Sequence, residues 1–347
     1  LIAVLIGLNR LGHTVTDHLP TVSIVIAARD EEKRIGACLR SLENLDYPTD
    51  KYEVIIVDDN SADNTADLIE GICRKYSNWM LIRLKQKSAE LRGKKNALQT
   101  GISKAKGELI FTTDADCIVP SKWLRIMVHY FTPDVSMVLG YSPLIREVKP
   151  YFRLLQFDNL FSAIAAAAPA KLGYPFTSVG RNLVYRKSDY ETSGGFQALK
   201  KFRSGDDIHL TKRFRYHNGG KIDYCAEPET FVLTMIPSTL KEVFQQQIRK
   251  NSKTFQLSFT TIVSMLVVFL FYLFLILVPF LVPALFAVWI VLITIKFILE
   301  YFTLRKAALI FRQSDLIPII PLMQIIYPMY IIFFSFIGSF QFYQWKK

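Results

Sequence analysis

From residue 20 onward the chain alternates between two hydrophobic periods. The run TVSIVIAA is apolar and β-branched, and RDEEKRIGACLRSLENL after it sets Ile35, Cys38, Leu39 and Leu42 at helical spacing. YEVIIVDDNSADNTADLIEGICRKY, beginning at Tyr52, repeats strand, polar turn and helix. WMLIRLK, a helix from Lys94 and the strand ELIFTTDADC carry the plan on. Strands alternating with helices predict an α/β domain whose mostly parallel, doubly wound sheet is covered on both faces and presents ligands at the strand carboxyl ends.

The pattern changes after Lys253. No charged residue occurs before Lys296, a gap of roughly forty residues against the roughly twenty that one membrane span needs. Two transmembrane helices fit there, with VPFLVP as the break, and a third apolar stretch begins at Leu316. A buried core would leave these segments without a polar face. The predicted organisation is therefore residues 1–19 as a membrane segment and linker, 20–255 as the α/β domain and 256–347 as a membrane domain of about three helices. The opening LIAVLIGLN, with nine residues before Arg10, is expected to be the stump of a further membrane helix. A membrane-surface segment or a strand are the alternatives.

Arg305, Lys306 and Arg312 lie between the second and third apolar segments, whereas VPFLVP carries no charge. Positive charge stays inside, so the large N-terminal domain is expected in the cytoplasm, below a plasma or bacterial-type inner membrane. Lys346 and Lys347 would then fall outside, a conflict that a short or re-entrant last segment would remove. The net charge of +12 in 347 residues suits anionic lipid and an anionic ligand. The basic residues are scattered and no base-reading module is present, so nucleic acid is not an expected partner. Cys38, Cys73, Cys117 and Cys225 form no C-x-x-C and read as reduced thiols.

Chemistry concentrates at the strand ends. Asp58 and Asp59 close one strand, Asp114 and Asp116 another, and Arg29, Asp30 and Glu31 follow the first. Such carboxylates either hydrogen-bond the turns or hold a divalent cation through the phosphates of a substrate. No G-x-G-x-x-G or P-loop follows any strand, which disfavours dinucleotides and Walker-type NTP binding.

SIVIAARDEE, VIIVDDNSADNT, GKKNAL, FTTDADCIVP, SGDDIHL and QQQIRK, in this order, resemble the family 2 glycosyltransferases over about residues 20 to 255. The resemblance implies a GT-A fold, a nucleoside-diphosphate sugar as donor (a UDP-sugar foremost), Mg²⁺ or Mn²⁺ as cofactor, and a lipid or glycan acceptor at a membrane. It implies that Ala27, Arg29 and Glu31 line the nucleoside pocket, that Asp59 contacts the base, and that Asp114 lies near the nucleotide sugar with Asp116 on the metal. Lys95 would add charge near the diphosphate, beside Lys94. Asp207 would be the general base and Asp206 its neighbour on the acceptor side. Gln246 and Arg249 match a Q-x-x-R-W pattern on the acceptor or diphosphate, but Lys250 replaces its tryptophan, which argues against processive chain extension. The stretch around Gly180, Asn182 and Tyr185 resembles the family's acceptor side. A processive polysaccharide synthase, an inactive sugar-binding assembly partner and a metal-dependent phosphohydrolase are the competing functions.

Overall fold

The computed structural model describes residues 1–12, 18–84, 91, 93–202, 205–217, 219–251 and 259–339. The chain forms two compact units, one of Ile2–Arg146 with Asn159–Met235, the other of Leu1, Glu147–Asp158 and Ile236–Lys347. The expected boundary at 255/256 and the lysines at 346 and 347 lie outside the described residues.

The first unit holds β1 (Val22–Ala28), β2 (Tyr52–Asp58), β3 (Trp79–Arg83), β4 (Leu109–Asp114), β5 (Cys117–Ile118), β6 (Val135–Gly140), β7 (Leu183–Arg186), β8 (Lys221–Cys225) and β9 (Leu233–Thr234). Seven of them make one sheet in the order β3-β2-β1-β4-β7-β6-β8, and β5 pairs with β9. β1 to β4 run parallel, as the alternating pattern requires. β7 enters antiparallel to both β4 and β6, and β8 runs parallel to β6. The outcome is the mostly parallel α/β sheet of a GT-A fold.

Its helices are α1 (Ile2–Asn9), α2 (Ile35–Glu43), α3 (Thr65–Cys73), α4 (Lys94–Lys104), α5 (Trp123–Val128), α7 (Lys187–Thr192) and α8 (Asp206–His217), while α6 (Phe152–Lys171) contributes residues to both units. The helical spacing in α2 has its expected result: Ile35, Cys38, Leu39 and Leu42 are all buried in the core that Val22, Ile24 and Ile26 of β1 also build. A side chain at Gly101 of α4 would come within 2.5 Å of Val25 and 3.1 Å of Val57, so this glycine lets α4 close onto β1 and β2. α1 is not bare of protein contacts. Leu8 is buried, and a Cβ at Gly7 would meet the Ala168 backbone of α6 at 2.5 Å.

The second unit holds α9 (Leu240–Asn251), α10 (Phe259–Leu281), α11 (Phe286–Ile310) and α12 (Ile320–Ser339). Among the described residues two helical stretches are long and apolar enough to cross a membrane, Pro283–Ile310 and Ser314–Gly338, where the hydropathy pattern predicted three. α10 is also apolar, over Phe269–Leu281 among the residues whose side chains are described. The unit also contains polar locks. Lys296 and Glu300 pair at 2.8 Å on α11, Tyr272 of α10 donates to Glu300 at 3.0 Å, and Gln324 of α12 donates to the Phe297 carbonyl at 2.9 Å.

Candidate active site

The loops that follow β1 and β2 are zipped together by their own side chains. The Asp30 amide donates to Ser61 Oγ at 3.0 Å, and the Ala62 amide donates back to Asp30 Oδ1 at 2.8 Å. The Glu31 amide donates to Thr65 Oγ1 at 2.8 Å, while Arg34 reaches the Glu31 carboxylate at 3.4 Å. Asp58 is buried and accepts from the Ser61 hydroxyl at 2.5 Å and its amide at 3.3 Å, the pattern of an Asx turn. Turn chemistry thus accounts for the carboxylates of Asp30 and Asp58. Asp59 is left at the mouth: its amide is tied to the Ala28 carbonyl at 2.8 Å, and its carboxylate lies 3.9 Å from the Arg29 guanidinium. Both loops use positive φ, 53° at Asp30 and 59° at Asn60, where Asp and Asn tolerate the left-handed region best among residues with a side chain. Ala27 sits in register between Val57 of β2 and Asp114 of β4, so the loops and the D-x-D motif open onto one rim.

At the end of β4, Asp114, Asp116 and Cys117 bring one potential ligand atom each within 4.8 Å of one another. Burial first, and then the charge of Asp114, hold the Asp116 carboxyl above its usual range, with Arg181, Lys94 and Arg34 pulling the other way. Burial and the same two acids push the Cys117 thiol up as well, so it stays protonated. The hard oxygen donors are the two aspartates, a pair that suits Mg²⁺ or Mn²⁺ and whose mutual repulsion such a cation would relieve. Lys94, at the start of α4, is ion-paired with Asp114. Lost solvation pulls its pKa down, but Asp114, then Asp206 and Asp207, outweigh this and leave it raised. One ammonium group therefore lies in the field of both acid clusters.

Asp207 is placed by a second loop. Thr112 of β4 donates to the Gly180 carbonyl at 2.9 Å and lies 3.3 Å from that of Leu183, which fixes the turn ahead of β7. The Gly180 amide then donates to Asp207 Oδ2 at 3.1 Å, and Ile208 at the start of α8 donates its amide to Oδ1 at 2.9 Å. A Cβ on Gly180 would lie 3.4 Å from that of Asp207, so the loop is closely fitted to this carboxylate.

Residues 23–194 match the family model described as glycosyl transferase family 2. The chain belongs to that family. It is 30% identical over 237 residues to the probable glycosyltransferase YdaM of Bacillus subtilis, covering 67% of this chain and 54% of that protein. It is 36% identical over 120 residues to the beta-monoglucosyldiacylglycerol synthase of Synechocystis, covering 35% and 25%. It is 28% identical over 247 residues to the poly-beta-1,6-N-acetyl-D-glucosamine synthase of Staphylococcus aureus, covering 70% and 57%. This chain thus spans about half the length of the relatives it matches most broadly. Among solved structures, a mannosyltransferase from Pyrobaculum calidifontis, in complex with GDP-Man and Mn²⁺, shares the fold with a TM-score of 0.58 and 17% identity over 97% of this chain and 92% of that one.

Within this family 2 domain Ala27, Arg29, Glu31, Asp59, Asp114 and Asp116 lie at or just beyond the carboxyl ends of β1, β2 and β4. Lys95, expected at the nucleotide, is instead buried: its ammonium donates to the carbonyls of Leu199, at 3.1 Å, and Phe202, and lies 3.8 Å from Asp206. The cation that faces Asp114 is Lys94, because successive residues of a helix point about 100° apart. Arg181 was not singled out by its sequence. It lies near enough to lower the Asp116 pKa and donates from Nε to Ser142 at 2.7 Å. The only signal for it was its place in the loop after Gly180. Asn182 and Tyr185 are core residues: Asn182 ties Trp123 to the Tyr141 and Thr230 carbonyls, and Tyr185 stacks on Tyr190. Gln246, Arg249 and Lys250 belong to α9 in the second unit, where Lys250 pairs with Asp158 at 2.6 Å.

Proposed function

We propose that the chain is a membrane-anchored, metal-dependent, inverting glycosyltransferase that moves a sugar from a nucleoside-diphosphate donor to a hydroxyl of a lipid or membrane-proximal glycan. The observation that carries this reading is the Lys94 ammonium held in the field of Asp114 on one side and of Asp206 and Asp207 on the other. Charge at a diphosphate and proton transfer from an acceptor are thereby brought to one rim.

Asp59 and Arg29 would hold the nucleoside, and Asp114 and Asp116 would hold Mg²⁺ or Mn²⁺. When bound, that ion supplies positive charge for the departing diphosphate. Lys94 and Arg181 add fixed positive charge on the same rim, where it favours the transition state over the ground state. Asp207 is the proposed base. Each of its oxygens already accepts one backbone N–H, which fixes its orientation and leaves a lone pair for the acceptor hydroxyl. The acceptor oxygen attacks the anomeric carbon, its proton passes to Asp207 and the bond to the diphosphate oxygen breaks, inverting the centre.

The lipid acceptor draws support from the glycolipid synthase relative, and the apolar helices of the second unit support the anchoring. The polysaccharide synthase relative supports the glycan alternative. The test is transfer from a panel of labelled UDP- and GDP-sugars to total membrane lipid with Mn²⁺ or Mg²⁺, using the intact chain and Asp207→Asn. The expected result is a discrete labelled lipid with a loss of about 10²–10⁴-fold in the variant. Label in high-mass polymer would favour the synthase instead. Asp207-independent release of inorganic phosphate would favour a phosphohydrolase, and no transfer from any donor an inactive partner.

A further inference from the structure

The last apolar helix differs from the one before it. None of the apolar window of Pro283–Ile310 is buried against protein, as for a helix sheathed in hydrocarbon, whereas 28% of the corresponding window of Ser314–Gly338 is buried. The buried side of α12 carries polar contacts. Gln324 bonds to α11, and the Tyr327 hydroxyl donates at 2.9 Å to Asp158, the same carboxylate that pairs with Lys250 of α9. Farther along, Phe334 meets Phe244 of α9 with ring centroids 5.4 Å apart.

From Tyr327 to Phe334, then, α12 runs beside α9, and α9 exposes Lys241, Glu242, Arg249 and Lys250. If α12 crossed the bilayer, that contact stretch would draw these charges to hydrocarbon depth, where ionised side chains are costly and rare. The opposite side of α12 has the reverse character. Leu322, Ile325, Met329, Ile332 and Phe336 are all exposed, and their spacing of three and four residues makes one continuous apolar stripe. A helix with protein and polar groups on one side and exposed apolar residues on the other matches a lipid surface lying parallel to its axis.

We propose that α12 lies in the plane of the membrane, its Leu322–Phe336 stripe sunk into the acyl boundary of the leaflet on the side where α9 lies, and does not cross the bilayer. The three-residue turn Pro283–Leu285 joins α10 and α11 into a hairpin that returns the chain to that side, and the bond from Gln324 to Phe297 holds the start of α12 against the returning helix. This inference rests on the reading that the second unit is anchored in a membrane.

The test is depth measurement by spin labels on the full chain in vesicles of phosphatidylethanolamine and phosphatidylglycerol. Single cysteines would replace Leu322, Met329 or Phe336 in a Cys73→Ser background, with Val288→Cys on α11 as the reference; Cys38, Cys117 and Cys225 are buried. These four positions are exposed, so labelling leaves the packed side of each helix intact. An in-plane helix places all three α12 labels at one depth, about 5–10 Å into the headgroup and acyl boundary. A crossing helix spreads Leu322 and Phe336 over about 21 Å at 1.5 Å per residue, which would overturn the proposal. A deep Val288 label with all three α12 labels in water would overturn it too while leaving the anchoring intact. Water around all four labels would show that the anchoring itself fails.

Discussion

At the scale of single residues, the candidate site holds two neighbouring lysines with opposite tasks. Lys95 is buried and hydrogen-bonded to the Leu199 and Phe202 carbonyls, so Lys95→Met strands the Phe202 carbonyl, the Leu199 carbonyl keeping the Phe202 amide. A loss of about 1–3 kcal/mol in unfolding free energy by denaturant titration is expected. Lys94 is more open and faces the acids, so Lys94→Met should leave stability nearly unchanged and lower kcat. Asp116 makes the converse case. Its carboxyl is raised by burial and by Asp114. Between the ordinary carboxylate pKa and the raised folded value, the folded protein keeps a proton that the unfolded chain has released, so stability falls as pH rises through that window. Asp116→Asn removes this penalty: in metal-free buffer its melting temperature should exceed the wild type's at neutral pH and vary less with pH. Mn²⁺ should raise the wild-type melting temperature, by the equivalent of about 2.7 kcal/mol at a hundredfold excess over Kd, and leave that of the variant unmoved. Equal responses of the two proteins to Mn²⁺ would remove Asp116 from the metal site.

At the scale of elements, the site depends on how β4 and the turn before β7 are held. Thr112 anchors that turn, the turn presents the Gly180 amide, and the amide orients Asp207. The same turn ends in Asn182, whose amide group joins Trp123 of α5 to two backbone carbonyls in a fully buried position. A Cβ on Gly140 would come within 2.4 Å of Asn182, so the glycine makes room for this hub. Asn182→Ala leaves the Trp123 indole N–H and the Thr230 carbonyl without this partner, while the Tyr141 carbonyl keeps the Val232 amide. We expect it to cost about 2–6 kcal/mol, taking about 1–3 kcal/mol for each stranded group. An unchanged melting curve with selective loss of acceptor binding would instead restore Asn182 to the acceptor side.

At the scale of the whole molecule, the proposed membrane attachment has two separable sources. A net charge of +12 favours anionic lipid, and α11 exposes apolar side chains such as Phe286, Val288 and Ile298 around its circumference. The first is screened by salt, the Debye length falling to about 3 Å at 1 M, and the second is not. The chain should therefore stay with membranes through a 1 M salt wash and leave them only in detergent. Release by salt alone would reduce the apolar helices to a minor role.

The sequence by itself determined β1 to β4 and the helices between them, because continuous β-branched runs mark strands buried on both faces and period-3.6 burial is written directly in Ile35, Cys38, Leu39 and Leu42. It also showed that acids collect at strand ends and that the C-terminal segments are apolar. It could not tell Lys94 from Lys95, since one helical step reverses which lysine meets Asp114. Nor could it show Arg181 beside Asp116 or Asn182 inside the core, because those relations join β4, β6 and the turn before β7 across long stretches of chain. Hydropathy counts α12 as a span because a sum over residues ignores direction; the in-plane placement proposed above rests on packing, which separates the face that meets Asp158 and Phe244 from the exposed Leu322–Phe336 stripe. Local pattern sets which elements form, and tertiary contact, which pairs residues far apart in sequence, decides which side chains share a site.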